Sequence, residues 1–321
     1  MFRKLLFAFL CLSLSLAACA PVTPTQPPVV PTVAPAPTAV PTPQGISLTD
    51  GLGRTVELAG PAQRVVSLAP SNTEILFAIG AGKQVVGRDE FSDYPETAKS
   101  LPTVGGSMGQ YSQEAIVALK PDLVLAAGIN PPELVKSLED LGLTVYYLSN
   151  PTTLEELYIN LETMGALTGH SSDAAALSDS LQARVAAVDD KLAGVPDHPS
   201  VFYEIDATDP AKPYTYGPGT FGDLLIQRAG GTNIGAELKD PYPQISLEQL
   251  VVDNPDVIVL GDSNYGVTVD AVKGRPGWEA LKAVQQGAIY LFDDNLVSRP
   301  GPRLVDGLEA LTKLLHPDLF E

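Results

Sequence analysis

One phrase occurs twice in this chain, and it constrains the fold more than any other feature. SQEAIVALKPDLVLAAG occupies residues 112–128 and SLEQLVVDNPDVIVLGD occupies residues 246–262, aligned without a gap at an offset of 134. The copies share Ser112/Ser246, Glu114/Glu248, Val117/Val251, Pro121/Pro255 and Asp122/Asp256, and most other positions keep their apolar character. Each copy reads as a short helix feeding a buried strand. Serine is the expected N-cap, Ala115, Ile116 and Leu119 keep helical spacing, Pro-Asp makes the turn, and LVLAA or VIVLG is a continuous apolar run suited to a parallel strand. A repeat at this spacing predicts two related lobes.

A second pair of segments follows the same grammar. Residues 70–76, PSNTEIL, come after the strand-like RVVSLA, and residues 219–225, GTFGDLL, come after VFYEIDA and a loop. Both read as capped helix starts, the first with a capping box formed by Ser71 and Glu74. Both helices run into glycine, at Gly80 and Gly82 and at Gly230 and Gly231. Two α/β lobes of this kind leave a cleft between them, and ligands of open α/β sheets bind outside the carboxyl ends of the strands.

The first 44 residues stand apart from that pattern. Arg3 and Lys4 precede an apolar stretch that ends in Leu16-Ala17-Ala18-Cys19, the layout of a secretory signal over residues 1–19. The LAAC ending resembles the bacterial lipobox, which makes Cys19 the lipidated first residue of the mature chain. An ordinary signal peptide and a membrane span are the competing readings, and for a span the stretch falls short of the roughly 20 apolar residues needed. Residues 20–44 are almost entirely Pro, Thr, Val, Ala and Gln, without charge, and read as an extended tether. The only cysteines are Cys11 and Cys19, so the folded part is expected to use neither disulfide nor thiol chemistry. The formal charge of −18 argues against a nucleic-acid partner and against electrostatic binding to anionic lipid.

Residues 46–58, interrupted by Asp50-Gly51-Leu52-Gly53, read as a small hairpin. An N-terminal α/β lobe over residues 45–170 then alternates strands near 64–68, 84–87, 123–127 and 144–148 with helices, the pattern of a parallel sheet. Helical spacing continues through residues 154–167, breaks at Thr-Gly-His-Ser, and resumes from Asp173 to Leu192. The bridge is therefore placed at residues 171–195 and the C-terminal α/β lobe at 196–321. A helical connection of this kind permits only small closing motions.

The motifs, taken in order, carry a resemblance. RVVSLAPSNTEILFAIGAG, Asp93-Tyr94-Pro95, LPTVGG, ALKPDLVLAAG, the bridging helix and the closing PGWEALKAVQQGAIYLFDDNLVSRPGPRLVDGLEALTKLLHP resemble the iron-siderophore and cobalamin class of substrate-binding proteins of bacterial ABC importers. The match spans nearly all of residues 46–317 and looks closest to the cobalamin-binding branch. It implies an α/β fold of two Rossmann-like lobes with parallel sheets joined by a single long bridging helix. It also implies capture of a metal chelate in a shallow cleft, with no resident cofactor, and delivery to a permease dimer with its ATPase subunits. The chain is then expected to be a monomer held to the outer face of the cytoplasmic membrane by its lipid alone. A corrinoid (cobalamin or cobinamide) is the first ligand reading, and a ferric siderophore or haem is the second.

Glu114 and Glu248 take the second helical position of the two copies. A carboxylate there favours the helix dipole by about 0.3–1 kcal/mol, and the resemblance implies that the pair also meets arginines on the two permease subunits. For the ligand, the candidates are Tyr94 from the first lobe and Tyr216, Tyr242 and Arg299 from the second, because a flat apolar chelate edged with amides suits rings and a few donors. Cobalamin-binding relatives place a large aromatic after VGG, where this chain has Ser107-Met108-Gly109-Gln110 before Tyr111. Met108 or Tyr111 takes that place, or the ligand differs.

His170, His198 and His316 are scattered and form no spaced ligand set, so no protein-held metal is expected. The chain contains no HExxH and no GxxxxGK[ST], so no catalytic residues are assigned and the protein is not expected to be an enzyme. An anchored envelope hydrolase and an adhesive surface protein are the alternatives. Saturable one-to-one binding without turnover separates the transport reading from both.

Overall fold

The structure, a computed structural model, describes residues 45–320. The expected signal segment, Cys19 and the tether lie outside the described residues. No described helix is long and apolar enough to cross a membrane.

The chain opens with an antiparallel hairpin, β1 (Ile46–Thr49) and β2 (Thr55–Leu58). The N-lobe follows as β3 (Val65–Ser67), α1 (Pro70–Ala78), β4 (Val85–Arg88), α2 (Gln113–Ala118), β5 (Leu123–Ala127), α3 (Pro132–Asp140) and β6 (Val145–Leu148). Two helices come next, α4 (Leu154–Thr168) and α5 (Ser171–Leu192). The C-lobe contains β7 (Ser200–Glu204), α6 (Phe221–Arg228), β8 (Thr232–Asn233), α7 (Leu247–Asp253), β9 (Val257–Leu260), α8 (Val269–Lys273), α9 (Lys282–Gln286), β10 (Ile289–Leu291), α10 (Asn295–Ser298) and α11 (Leu304–Leu315).

Each lobe has a four-stranded parallel sheet, ordered β4-β3-β5-β6 in one and β8-β7-β9-β10 in the other. Counted within its own lobe, each reads second, first, third, fourth, so the sequence repeat is a repeat of topology. The details match as well. Ser112 and Ser246 cap their helices by accepting from the amides of Ala115 and Gln249. Lys120 and Asn254, equivalent in the repeat, are the non-glycine residues with positive φ among the described residues, at 48° and 46°. Each ends its helix in the left-handed conformation and hands the chain to Pro-Asp. The two aspartates then tie down the neighbouring strand: Asp122 accepts from the amides of Gln63 and Arg64, and Asp256 from the amide and hydroxyl of Ser200.

The strands divide their side chains with a period of two. Leu123 and Leu125 of β5, Val201 and Tyr203 of β7 and Val257 and Val259 of β9 enter one central apolar cluster, together with Leu181 and Val185 of α5 and Leu308 and Leu311 of α11. The alternate residues face outward into separate cores: Val124 and Ala126 in the N-lobe, Phe202, Ile258 and Leu260 in the C-lobe. Both lobes therefore share a core that runs through the bridging helix. Arg184 of α5 adds contacts to Asp306 and Glu309 of α11, and Arg228 of α6 pairs with Asp189 of α5. Gly169 ends α4 in the left-handed region at φ 79°, and His170 starts α5, which places the break where the sequence has Thr-Gly-His-Ser.

One expected cap is absent. The start of α1 is held by Ala69 and by Pro70 in the first turn, with no side-chain cap. Ser71 and Glu74 form no capping box; residues 71–76 are all buried, and Glu74 is used elsewhere.

Candidate ligand cleft

The carboxyl ends of the two sheets meet at a cluster of four charged side chains. Glu74, in the N-lobe helix α1, is 3% exposed. Arg303, at the start of the C-lobe helix α11, donates from Nε to its Oε2 at 2.8 Å and from Nη2 to its Oε1 at 2.6 Å. Arg299 donates from Nη1 to Glu74 Oε1 at 3.2 Å and to Asp93 Oδ1 at 2.6 Å. Burial works against the charge of Asp93, yet Arg299 holds its carboxyl below the usual range. Two arginines of one lobe thus neutralise two carboxylates of the other, and Arg299 is an inter-lobe residue.

Tyr94 lies beside this cluster, 46% exposed, with the Arg303 guanidinium 4.0 Å from its ring centroid. One ring face is covered by a cation, an attraction of roughly 0.5–2 kcal/mol. The loop that carries it is built by β4. Arg88 donates to the carbonyls of Asp89, Glu90, Ala98 and Lys99, and Asp89 accepts from the Phe91 amide and the Ser92 hydroxyl. Asp89 is itself buried, and burial pushes its carboxyl up despite the Ser92 bond.

On the opposite side Tyr242 is 50% exposed and rests on Tyr216, with ring centroids 6.0 Å apart. Tyr216 is not at the surface: it is 2% exposed, packs edge-on against Tyr203 at 5.0 Å, and donates its hydroxyl to Asp294 at 3.2 Å, as Tyr203 does at 3.0 Å. Burial, with Asp294 next, pushes both tyrosine hydroxyls well up. Gly222 makes room for this ring, since a Cβ there would lie 2.3 Å from it. Tyr214, two residues earlier, is 41% exposed and forms isolated bridges to Asp206 and Gln244. Nothing in the spacing of Tyr214 and Tyr216 tells which of them faces out.

Tyr111 is half-buried, and its hydroxyl donates to the Leu68 carbonyl at 2.9 Å while accepting from Asn130 at 2.8 Å. Burial, with Asp89 next, pushes that hydroxyl up. The backbone of Met108 lies in a single turn at Ser107–Gly109. Exposed apolar residues that the sequence reading passed over occupy the loops after β4, β5 and β9: Phe91, Ile129 and Tyr265. Their signal is positional, one per loop at the carboxyl edge of a sheet.

Residues 105–109 also spell GxSxG, a motif that the sequence reading did not single out. Ser107 sits in the short turn between β4 and α2, not on a strand-to-helix elbow, and no histidine hydrogen-bonds to it. Among the described residues no three His, Cys, Asp or Glu side chains gather as a metal-holding group.

Glu114 and Glu248 are exposed on α2 and α7. Among the described residues neither carboxylate has an ion-pair or hydrogen-bond partner. Each is followed three residues on, on the same helix face, by an exposed valine, Val117 or Val251.

Two matched α/β lobes, a shared helical spine and a cleft rimmed by exposed rings define a ligand-capturing protein of the bilobal, bridging-helix kind. The chain belongs to the periplasmic binding protein family, whose model matches residues 65–296, and within it to the substrate-binding proteins of ABC importers. It is 33% identical over 281 residues to an uncharacterised ABC transporter substrate-binding lipoprotein of Bacillus subtilis, covering 86% of this chain and 87% of that one. The crystal structure of the periplasmic vitamin B12 binding protein of Vibrio cholerae matches with a TM-score of 0.69 and 30% identity, over 81% of this chain and 99% of that one. The periplasmic heme-binding protein of Roseiflexus sp. in its apo form matches with a TM-score of 0.72 and 28% identity, over 80% and 99%.

Proposed function

We propose that this chain captures a corrinoid outside the cytoplasmic membrane and delivers it to an ABC importer without chemical turnover. The observation that carries the reading is the pair of exposed rings on opposite lobes, Tyr94 against the neutralised Arg303 and Tyr242 on Tyr216. Such a cleft offers flat apolar contact without a large net charge, which suits a bulky chelate edged with amides. Relatives described as cobalamin-binding in Halobacterium salinarum and vitamin B12-binding in Vibrio cholerae support the choice. Tyr214 joins Tyr94, Tyr242 and Arg299 as a contact residue, and Tyr216 supports Tyr242 from below.

Cys19 is assigned as the lipid anchor and residues 20–44 as the tether, which puts the lobes on the outer face of the membrane. Glu114 and Glu248 are assigned to the permease dimer, one per subunit. Haem or a ferric siderophore is the second reading, favoured by the heme-binding neighbour with its comparable TM-score. The test is the visible spectrum and mass of what co-purifies with the protein, followed by calorimetry with cyanocobalamin, dicyanocobinamide, haemin and a ferric hydroxamate. Tight one-to-one binding of haemin with no corrinoid binding would move the assignment to the second reading.

A further inference from the structure

Arg299 is held by two carboxylates of the other lobe, and the two are unequal. On the inner side, the Glu74 side chain is 2% exposed, and both of its oxygens already accept from Arg303, Oε1 at 2.6 Å and Oε2 at 2.8 Å. Its bond to Arg299 Nη1 is longer, 3.2 Å. On the outer side, the Asp93 side chain is 49% exposed and accepts from the same Nη1 at 2.6 Å. Among the described residues, Nη1 is the only side-chain nitrogen of Arg299 that donates to a protein group. The guanidinium is therefore anchored at one corner, and its Nε and Nη2 donors stay open.

The charge of the cluster balances only through Asp93. Arg303 and Glu74 cancel each other as one pair, which leaves Arg299 and Asp93 as the second. Asp89, whose carboxyl also feels the charge of Arg299, is 1% exposed and committed to the Phe91 amide and the Ser92 hydroxyl, so it does not substitute for Asp93. A neutral acceptor such as an amide carbonyl approaches Nε or Nη2 and meets no net charge. A carboxylate or phosphate in the same place also stands beside the Asp93 carboxylate, and that repulsion offsets what the guanidinium supplies.

We propose that Asp93 sets the charge selectivity of the cleft: by covering the solvent side of Arg299 it restricts that edge to neutral hydrogen-bond acceptors, and its removal turns Arg299 into an anion site. Asp93 acts through Arg299 and is a specificity-determining residue. Its effect on chelates rests on the cleft being the ligand site, whereas its cover over Arg299 is read without any chelate.

Two readouts use the full-length purified chain. Without a chelate, the Arg299 Nε–Hε resonance is followed by NMR during titration with inorganic phosphate at about pH 7.5 and low salt. In Asp93→Asn it should shift saturably. The parent, and Asp93→Glu, which keeps the charge, should need at least about tenfold more phosphate for the same shift. With chelates, the readout is the dissociation constant of a neutral compound divided by that of its acid, for cyanocobalamin against its monocarboxylates and for haemin diamide against haemin. For at least one acid this ratio should rise about tenfold in Asp93→Asn over the parent and stay within about threefold in Asp93→Glu. Adding Arg299→Gln to Asp93→Asn should return it to the parent value. A phosphate response in Asp93→Asn no stronger than in the parent overturns the proposal whatever chelate binds. An unchanged ratio, a rise as large in Asp93→Glu, or a rise that survives Arg299→Gln overturns it too. If haemin binds and cyanocobalamin does not, the corrinoid reading alone has failed and the haemin pair carries the test. If phosphate responds as expected while no chelate binds, the ligand reading has failed and the control of Arg299 by Asp93 stands.

Discussion

Glu74 and Arg303 hold each other across the two lobes, 229 residues apart in sequence, through two hydrogen bonds of 2.8 and 2.6 Å. The Glu74 side chain is 2% exposed and that of Arg303 14%. Together with the shared core, this pair fixes the lobes at the base of the cleft. A ligand that enters meets walls already in place, so rotation of one lobe against the other should stay within a few degrees on binding.

Removing one partner of such a pair leaves the other charge buried without compensation, which costs about 3–5 kcal/mol. Glu74→Ala should lower stability by that amount in urea or thermal unfolding. The double variant Glu74→Leu with Arg303→Met should recover most of it, because neither charge is then stranded. A double variant no more stable than Glu74→Ala would show that the pair acts through something other than its mutual charge.

Tyr214 and Tyr216 should separate binding from stability. Tyr216→Ala opens a cavity beneath Tyr242 and beside Tyr203, a loss of about 3–5 kcal/mol for a buried ring. Tyr214→Ala removes an exposed ring and should cost about 1 kcal/mol or less in stability. It should still weaken chelate binding by about 3- to 10-fold. Calorimetry beside denaturant titration decides, and an unchanged affinity for Tyr214→Ala removes this residue from the cleft wall.

Acid should expose the strand tie at Asp256. Its carboxyl is lowered to about 2, first by the Lys282 ammonium and then, against burial, by the amide and hydroxyl of Ser200. The unfolded carboxyl titrates near 4. The stabilisation is therefore fully present above about pH 4 and is lost as pH falls through about 2. Its side chain is 34% exposed, so solvent screens the pair and the effect is modest. The difference in urea midpoint between the parent and Asp256→Asn should stay constant from about pH 5 to 7 and shrink from about pH 4 to 2. A difference that grows in acid contradicts the assignment.

The repeat made the architecture legible because it is local. Ser112 and Ser246, and Lys120 and Asn254, act within a few residues of their own helix, so one sequence window contains most of what fixes them, whereas Asp122 and Asp256 reach Arg64 and Ser200 on the neighbouring strand. Glu74 shows the opposite case. From the sequence it is three residues after Ser71 and fits a capping box, but residues 71–76 are buried and its carboxylate meets arginines more than 220 residues away. Tyr216 fails for a related reason: the sequence gives its spacing from Tyr214, while the side that faces the core is decided by Tyr203, Gly222 and Asp294. The buried pair of Glu204 and Arg275 had no local signal either, since the two residues come together only in the folded lobe.

Glu114 and Glu248 should act in delivery rather than capture. They hold equivalent positions at two exposed helix starts, each with a valine beside it, and no partner within the described residues uses their charge. A carboxylate there contributes only about 0.3–1 kcal/mol to its own helix. The same placement in both lobes makes a two-point contact suited to a dimeric permease, where charge pairs set orientation and association rate more than affinity. Glu114→Arg and Glu248→Arg should leave calorimetric ligand affinity within about twofold of the parent while reducing ATP-driven uptake in reconstituted vesicles, and the double reversal should be worse than either single one. Normal uptake by the double variant would assign these carboxylates to the fold alone. Loss of ligand binding in either single variant would place them at the cleft instead.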